Sequence, residues 1–322
     1  MKWISPYFEE GTWIRGSFHT HTDVSDGSHT LEETVRNYFL NCRYKAAPWM
    51  QYRFLAITDH TTSGKAEMYR PIGNSINDIA PGCILIEGRE DSYSHHILGI
   101  GCRMTFQEDI IQKKDADYTV EDYQRVIDEI VRDGGIAILA HPHWRYKDYF
   151  SNEMTEKLEN YTAIEIINGD LYTGPGHLAT DVWDAALTAG KRVWCTGNDD
   201  FHCVRDMHNA WNMVQVKEET KEGVLDALRH GSLYASNGAV FERLYADGDW
   251  IVAECHHDSI FDLPEKTFRF IGQGGRLFQL QTGKGKTAAY KYQGDEQYIR
   301  VEMCLSWGMA AFSQPFFPEE GE

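Results

Sequence analysis

Short apolar runs that alternate with helix-like segments over the first 230 residues constrain the fold of this chain more than any other feature. Helix-like segments begin near Thr30 and Thr119 and cover residues 178–189 and 221–230. The strand-like runs lie at 13–18, 54–57, 83–86, 97–101, 136–140, 164–167, 192–195 and 211–216. Continuous apolar strands separated by helices predict parallel pairing in a sheet buried on both faces. The expected fold class is therefore α/β, as layers or a barrel.

The texture of the sequence changes from about Gly231. The later segments are short alternating runs with almost no helical period, such as 244–253, 268–271, 278–281 and 298–303. Such spacing predicts a small antiparallel β domain of the sandwich type. We expect two domains, 1–230 and 231–322, which pack together because no low-complexity linker separates them.

Composition excludes several classes of protein. Hydrophobic residues make up 42 % of the chain, but no apolar run approaches the roughly 20 residues of a membrane span, so a membrane protein is not expected. The first residues lack the form of a secretory signal, and the seven cysteines show no Cys-x-x-Cys spacing. We therefore expect a cytoplasmic protein with reduced thiols. The net charge of -18 disfavours nucleic acid as a partner, except as a nucleotide substrate, and the oligomeric state stays open.

Metal-binding side chains follow six of the strand-like runs. They are His19 and His21, Asp59 and His60, Glu87 and Glu90, His141 and His143, Asn168, and Asp199, Asp200 and His202. Because the carboxyl ends of parallel strands meet at one face, we expect these side chains to converge. Imidazole nitrogens beside carboxylate oxygens suit Zn, Mn or Fe, so the sequence predicts a metal centre.

The residues alone leave some assignments open. The first two histidines can reach one cation, because residues two apart on an extended chain point the same way. Asp23 and Asp26 follow them within one turn and look equally suitable. A centre with several cations needs a bridging carboxylate, for which Glu90 is the candidate and Glu87 the competitor.

Seven motifs occur in order between residues 15 and 204. They are His-Thr-His-Thr-x-x-Ser-Asp-Gly (19–27), Thr-Asp-His (58–60), Gly-x-Glu (88–90), His-Ile-Leu-Gly (96–99), Ala-His-Pro (140–142), Glu-Ile-Ile-Asn-Gly (165–169) and Asp-x-His (200–202). This set resembles the signature of the PHP (polymerase and histidinol phosphatase) superfamily. The resemblance implies a distorted seven-stranded β/α barrel with two or three divalent cations at its carboxyl face. Residues 231–238, 298–302 and 313–315 are similar to the carbaryl-hydrolase-like branch, which carries a carboxyl-terminal β domain.

The resemblance also implies metal-binding roles for nine residues. The groups are His19, His21 and Asp200 at a first cation, Glu90, His96 and His141 at a second, with Glu90 bridging to the first, and Asp26, His60 and His202 at a third. The usual Gly-Ser-Asp-x-His ending of the family has one extra residue here, at 197–202. Asp200 keeps the two-residue step to the last histidine, so we prefer it to Asp199. Asp23 and His29 are left without a ligand role.

The activity implied by the resemblance is a metal-dependent phosphoesterase acting on a small phosphate ester. A water between two cations would lose a proton and attack phosphorus. A partly protonated group at the third site, from His60, His202 or Asp26, would assist the leaving oxygen. The expected substrate contacts stand next to the ligand motifs and are Arg89, Arg145, His143 and Lys65.

Two other functions fit the same residues. The first is hydrolysis of a carbamate or carboxylic ester, which the similarity of the tail favours. The second is a non-catalytic PHP module that binds metal or a partner without turnover. We further expect a turn-rich loop over 61–80 at the mouth of the site, and ordinary surface positions for His256 and His257.

Overall fold

The computed structural model describes residues 2–40, 50–61, 80–102, 113–114, 117–144, 149–170, 177–256, 265–305 and 308–319. The helices are α1 (Leu31–Val35), α2 (Val120–Arg132), α3 (Asn152–Lys157), α4 (Thr180–Thr188) and α5 (Lys221–His230). The first nine strands are β1 (Trp3–Ile4), β2 (Thr12–Ser17), β3 (Tyr52–Ile57), β4 (Ile84–Ser92), β5 (His96–Ile100), β6 (Ile136–Leu139), β7 (Ala163–Asn168), β8 (Trp194–Asn198) and β9 (Trp211–Val216). The others are β10 (Leu233–Ser236), β11 (Phe241–Asp247), β12 (Trp250–Cys255), β13 (Lys266–Gly272), β14 (Arg276–Gly283), β15 (Thr287–Lys291), β16 (Arg300–Cys304), β17 (Ala310–Ser313) and β18 (Phe317–Pro318).

A sheet of thirteen strands dominates the fold. Its order is β14-β13-β16-β17-β10-β9-β2-β3-β4-β5-β6-β7-β8. Strands β2, β3 and β4 are parallel, and so are β6, β7 and β8. The architecture is therefore mixed α/β with one large sheet and few helices, and the seven-stranded barrel stays a prediction.

The expectation of parallel pairing is wrong for two strands. β5 is antiparallel to β4 and to β6, and β9 is antiparallel to β2. Only residues 93–95 separate β4 from β5. A parallel pair needs a crossover connection of about a dozen residues or more, so this short turn allows only an antiparallel hairpin.

Side chains link the edge strand β8 to β9. The Asn212 side chain accepts a hydrogen bond from the Gly197 amide (3.0 Å) and donates one to the Gly197 carbonyl oxygen (2.7 Å). It also donates to Asn198 Oδ1 at 2.9 Å. The two strands therefore lie side by side without sharing a backbone ladder, and the carboxyl end of β8 comes close to that of β2.

The capping residues read from the sequence do begin the first two helices. Thr30 and Glu33 form a capping box at α1, and Thr119 and Asp122 form one at α2. α1 continues as a π-helical segment, Arg36–Leu40, which buries Tyr38. No helix in the described part of the chain is long and apolar enough to span a membrane.

The strands after Gly231 continue the large sheet. β10 is antiparallel to β9 and to β17, while β11, β12 and β15 form a separate three-stranded sheet. Buried Arg300 joins this region to α4, since its guanidinium donates to Asp184 Oδ1 (2.8 Å) and Oδ2 (2.7 Å) and to Glu302 Oε1 (2.6 Å). The division at residue 230 stays a prediction.

Candidate metal centre

His19 and His21 follow the carboxyl end of β2 and are fully buried. The His21 amide donates to the Phe201 carbonyl oxygen at 2.9 Å, so the segment is fixed against the chain that follows β8. Both imidazoles turn Nε2 toward Asp200 Oδ1, at 3.0 Å from His19 and 3.1 Å from His21. The two Nε2 atoms are themselves 3.1 Å apart.

Hydrogen bonds at Nδ1 determine what these Nε2 atoms can do. His19 Nδ1 lies 3.0 Å from Glu165 Oε1, and a carboxylate can only accept, so Nδ1 carries the proton. His21 Nδ1 lies 3.3 Å from Ser25 Oγ, whose own proton is donated to Asp59 at 2.7 Å. In a neutral imidazole both Nε2 atoms then offer lone pairs.

Lone pairs that face one another in a dry site require a cation between them. Bonds of about 2.0–2.1 Å would put neighbouring ligand atoms about 2.9 Å apart at right angles and about 3.4 Å apart in a tetrahedron. The spacings of 3.0–3.1 Å among His19, His21 and Asp200 fall between these limits. The three side chains therefore fit a shared divalent cation.

Glu90 on β4 lies at the centre of the cluster. The Glu90 Oε2 atom is buried and takes part in no hydrogen bond within the described residues. Five imidazoles surround this carboxylate, namely His60 and His96 (2.8 Å each), His141 (3.2 Å), His21 (3.3 Å) and His19 (3.4 Å). Such an orphaned oxygen among ring nitrogens fits a bridging ligand. The competitor Glu87 is half-exposed and forms an ion pair with Lys221 on α5.

Burial and charge act in opposite directions on these groups. Burial alone would raise the pKa of Glu90, but His96, His19 and His60 outweigh it and hold that pKa well below its usual range. Burial lowers the pKa of His96 to about 4, against the opposing carboxylate of Glu90. His96 is therefore neutral at pH 7, as a metal ligand must be.

The third predicted group lies at the open side of the cluster. Asp26 is 3.3 Å from His60 Nε2 and 3.4 Å from His202 Nε2. The side chains of Asp26, His202 and His60 are 54 %, 26 % and 16 % exposed, whereas His19 and His21 are closed to solvent. A substrate would therefore approach from this side. His60 also groups with Glu90 and His96, so it stands between the second and third groups.

Asp59 and Gly27 shape the turn that carries Asp26. Asp59 accepts hydrogen bonds from the Thr22 amide (2.7 Å), the Thr22 hydroxyl (2.8 Å) and the Ser25 hydroxyl (2.7 Å). A Cβ atom on Gly27 would lie 2.9 Å from backbone atoms of residues 21 and 22, so only glycine lets the chain at residue 27 approach these residues so closely. Asp23 is exposed outside the metal-binding groups.

Glu165 on β7 is a functional residue that sequence reasoning missed. Besides orienting His19, it accepts from the His141 amide (2.9 Å) and from the side chains of Asn168 (3.0 Å) and Asn198 (2.8 Å). A carboxylate that orients a ligand histidine is usual around protein metals. The signal was present, because Glu165 interrupts an otherwise apolar, fully buried strand.

Two predicted ligands have left-handed backbones. His141 has φ 30° and Asp200 has φ 49°, conformations that non-glycine residues seldom adopt. Such strain clusters at functional sites, where the surrounding structure holds it. Asp200 lies beside His19 and His21, whereas its neighbour Asp199 points to other partners.

Of the four predicted substrate contacts, the structure describes Arg89 and His143, and neither belongs to the candidate metal-binding groups. Arg89 is buried, and its Nε donates to Asp91 Oδ2 at 2.7 Å. Because side chains alternate along a strand, Arg89 and Asp91 share the face of β4 opposite to Glu90. His143 Nε2 lies 2.8 Å from Asp181 at the start of α4, outside the metal-binding groups. Lys65, Arg145, His257 and residues 62–79 of the expected loop lie outside the described residues.

Trp144 forms an aromatic wall next to the second group. Its ring centroid lies 4.6 Å from that of His96 and 5.3 Å from that of His141. Tyr149 adds a ring 6.1 Å from His141. The wall limits solvent at this side of the cluster, in contrast to the open side at Asp26.

Comparison with known proteins finds similarity at the level of solved structures. Neither a protein-family model nor a curated protein matches the chain. A crystal structure of a two-domain protein from Bacteroides vulgatus, containing a predicted PHP-like metal-dependent phosphoesterase, superposes with a TM-score of 0.52 at 16 % sequence identity. The alignment covers 98 % of each chain. The chain therefore has the fold of this two-domain, PHP-like protein.

Proposed function

We propose that this chain is a metal-dependent phosphoesterase of the PHP superfamily that hydrolyses a small phosphate ester. The observation that carries the proposal is the buried cluster of imidazole nitrogens and carboxylate oxygens around Glu90, whose Oε2 lies 2.8 Å from His60 Nδ1 and 3.3 Å from His21 Nε2. Structural likeness to a PHP-like protein supports the same class of activity.

The ligand sets follow from the side chains that converge. His19, His21 and Asp200 would hold a first cation. Glu90 would bridge it to a second held with His96 and His141, both of which face Glu90 Oε1, although Glu90 also groups with His19 and His141 and with His60 and His96. Asp26, His60 and His202 would hold a third. The donor chemistry suits Zn, Mn or Fe. Bound cations supply Lewis acidity, which lowers the pKa of water and neutralises charge on phosphoryl oxygens.

His60, His202 and Asp26, at the solvent-exposed side of the cluster, would protonate the leaving group. The Nε2 atoms of His60 and His202 both face Asp26, on the side that solvent and substrate reach. Where a third cation is absent, a protonated imidazole held there can donate to the departing oxygen. His60, His202 and Asp26 are thus the proposed catalytic residues besides the cation ligands.

A carbamate or carboxylic ester is the second candidate substrate. The tail that resembles the carbaryl-hydrolase-like branch is tied to the sheet that bears the site. Buried Gln314 accepts from the Cys195 amide (2.7 Å) and donates to the Cys195 carbonyl oxygen (2.8 Å) on β8. This contact places the tail against the strand that leads to Asp200, and the resemblance of the tail to that branch keeps the alternative open. A non-catalytic metal-binding module is the third candidate.

Turnover after metal exchange tests the proposal. The protein is stripped with a chelator, reloaded with Mn, Zn or Fe(II), and assayed against aryl phosphates and aryl carbamates. We expect metal-dependent phosphate release, which Glu90→Gln abolishes and the matched variant Glu87→Gln retains. Carbamate turnover without phosphate release would instead establish the second candidate. Absence of turnover of either ester class after reloading, whether or not the protein binds metal, would leave the non-catalytic module that binds metal or a partner.

A further inference from the structure

Asp199 is a buried carboxylate whose hydrogen bonds are all turned away from the cluster. Its Oδ2 accepts from the Tyr38 and Tyr52 hydroxyls (2.9 Å each) and from the His208 amide (3.0 Å). Its Oδ1 accepts from the amides of residues 209 (2.9 Å) and 210 (3.0 Å). A carboxylate has about four lone-pair positions, so five donors leave no place for a cation.

These five bonds fix two strained points of the backbone. Asp200, with φ 49°, follows Asp199 directly, and His208, with φ 68°, donates its amide to Asp199. The segment between them also carries His202. The conformations of Asp200 and His208 therefore both depend on where the Asp199 carboxylate lies. Asp200 is a proposed ligand of the first cation.

Three separate elements meet at Asp199. Tyr38 comes from the π-helical segment Arg36–Leu40, Tyr52 comes from β3, and the amides of residues 208–210 lead into β9. Arg15 on β2 supports the group, because its Nη2 donates to the Tyr52 hydroxyl at 3.3 Å and its guanidinium lies 3.8 Å from the Trp211 ring centroid. Three elements that are far apart in the sequence thus set the position of Asp199.

We propose that Asp199 is a positioning residue, which holds Asp200 in its left-handed conformation so that Oδ1 of Asp200 faces His19 and His21. The inference rests on the proposed metal centre and adds a residue that binds no metal itself. Partners of this kind around metal ligands change metal affinity or activity by about 10- to 100-fold when altered.

Asp199→Asn is the sharpest test, because it preserves shape and removes an acceptor. The new amide group must face either the two fixed amides of residues 209 and 210 or the fixed amide of His208. Either arrangement sets a donor against a donor. The tyrosine hydroxyls can rotate to accept, but the backbone amides cannot, so the turn must shift.

We expect Asp199→Asn to lower the affinity for the most tightly bound cation by about 10-fold or more. Competition with a chelating dye measures this affinity. Faster amide hydrogen exchange at residues 208–210 in the metal-free protein should accompany the change. Asp184→Asn is the matched control, since Asp184 is also buried, is bonded to Arg300 and Tyr298, and belongs to none of the candidate metal-binding groups of the described residues. It should leave the cation affinity of the wild-type protein unchanged.

The outcomes separate this inference from the proposed function. If the wild-type protein binds cations and Asp199→Asn binds them equally well, Asp199 is not a positioning residue. If the wild-type protein binds none, the proposed metal centre itself fails, and this inference with it. Should Asp199→Asn not fold, Asp199→Ala removes the acceptor of the amides of residues 208–210 without setting a new donor against them, and unchanged cation affinity in that variant overturns the inference.

Discussion

The Nε2 atoms of His19 and His21 lie 3.1 Å apart, and both face the same oxygen of Asp200. Without a metal, such a site has to hold protons. Burial would lower the pKa of His19, yet Asp200, Glu90 and Glu165 outweigh burial and raise that pKa well above its usual value. The position therefore attracts positive charge, either as protons or as a divalent cation.

Divalent cations should stabilise the fold against heat. A ligand that binds only the folded state adds about 2.7 kcal/mol when its free concentration is 100 times Kd. We expect the midpoint of thermal unfolding to fall after chelation and to recover when Mn or Zn is restored. His21→Gln should lose most of this dependence. Equal midpoints with and without metal in the wild-type protein would contradict the prediction.

Binding at the third group should release protons. Burial opposes the charged imidazoles, but Glu90 and Asp26 raise the pKa of His60 to about 10, and Asp26 and Asp200 raise that of His202 to about 9. Both are protonated at pH 7 in the metal-free protein, and a cation must displace those protons. A weakly buffered metal titration should acidify the solution, and affinity should rise with pH toward 9–10.

The same two histidines give the metal-free fold a defined pH dependence. Their folded pKa values lie above the usual value of about 6.5. Their protonation therefore contributes stability that is complete below pH 6.5 and is lost as the pH rises through about 9 to 10. Urea unfolding of the metal-free protein across this range checks the sign. Rising stability over the same range would show that the raised pKa values are wrong.

Asp26→Ala should remove one cation and leave the others bound. Asp26 is 54 % exposed and faces His60 and His202, with the Ser25 hydroxyl at 3.3 Å and His21 Nδ1 at 3.7 Å, so the fold should be unaffected. Metal analysis should then show one equivalent less, with the first site still filled. Asp23→Ala, three residues earlier and also exposed, is the control and should retain every cation. Loss of all metal together would show that the three groups do not bind independently.

Arg300→Met should destabilise the protein strongly. The change leaves the buried carboxylates of Asp184 and Glu302 without their shared guanidinium, a loss that costs about 3–5 kcal/mol. Urea denaturation measures it. Arg276→Met is the control, because its ion pair with Asp295 is exposed on both sides and screened by water, so the midpoint should not move. Equal midpoints for both variants would show that the buried cluster contributes little.

Much of the cluster could be predicted from the sequence, because the proposed ligands follow the carboxyl ends of strands and these ends meet at one face of the sheet. All nine predicted ligands fall in the groups that the structure brings together. The prediction of Arg89 as a substrate contact conflicts with that of Glu90 as the bridging ligand. Because side chains alternate along β4, Arg89 and Asp91 lie on the face opposite to Glu90. The periodicity of the sequence shows which residues share a face of the strand, but it does not show which of the two faces bears the site.

Other features depend on contacts that no local pattern records. β5 is antiparallel to its neighbours because only residues 93–95 connect it to β4. The sequence pattern does not reveal this direction, since an apolar run has the same pattern in a parallel and in an antiparallel strand. Asp199 and Asp200 are adjacent carboxylates of one motif. The spacing to His202 favours Asp200 as the ligand, but the role of Asp199 depends on two tyrosines and on the amides of residues 208–210, which no local pattern records. The strands after Gly231 could be recognised as antiparallel, but not their continuation of the large sheet.

Pairing between distant strands also sets the time at which the centre can form. Trp3 on β1 pairs with Pro318 on β18, and the Tyr7 hydroxyl accepts a hydrogen bond from the Gln314 amide at 2.8 Å. At about 5–20 residues per second, Asp200 leaves the ribosome roughly 10 to 40 s after His19. Topologies of this kind fold slowly. A cation at the proposed first site could therefore bind only after Asp200 has been synthesised, so His19 and His21 would have to remain without it during that interval.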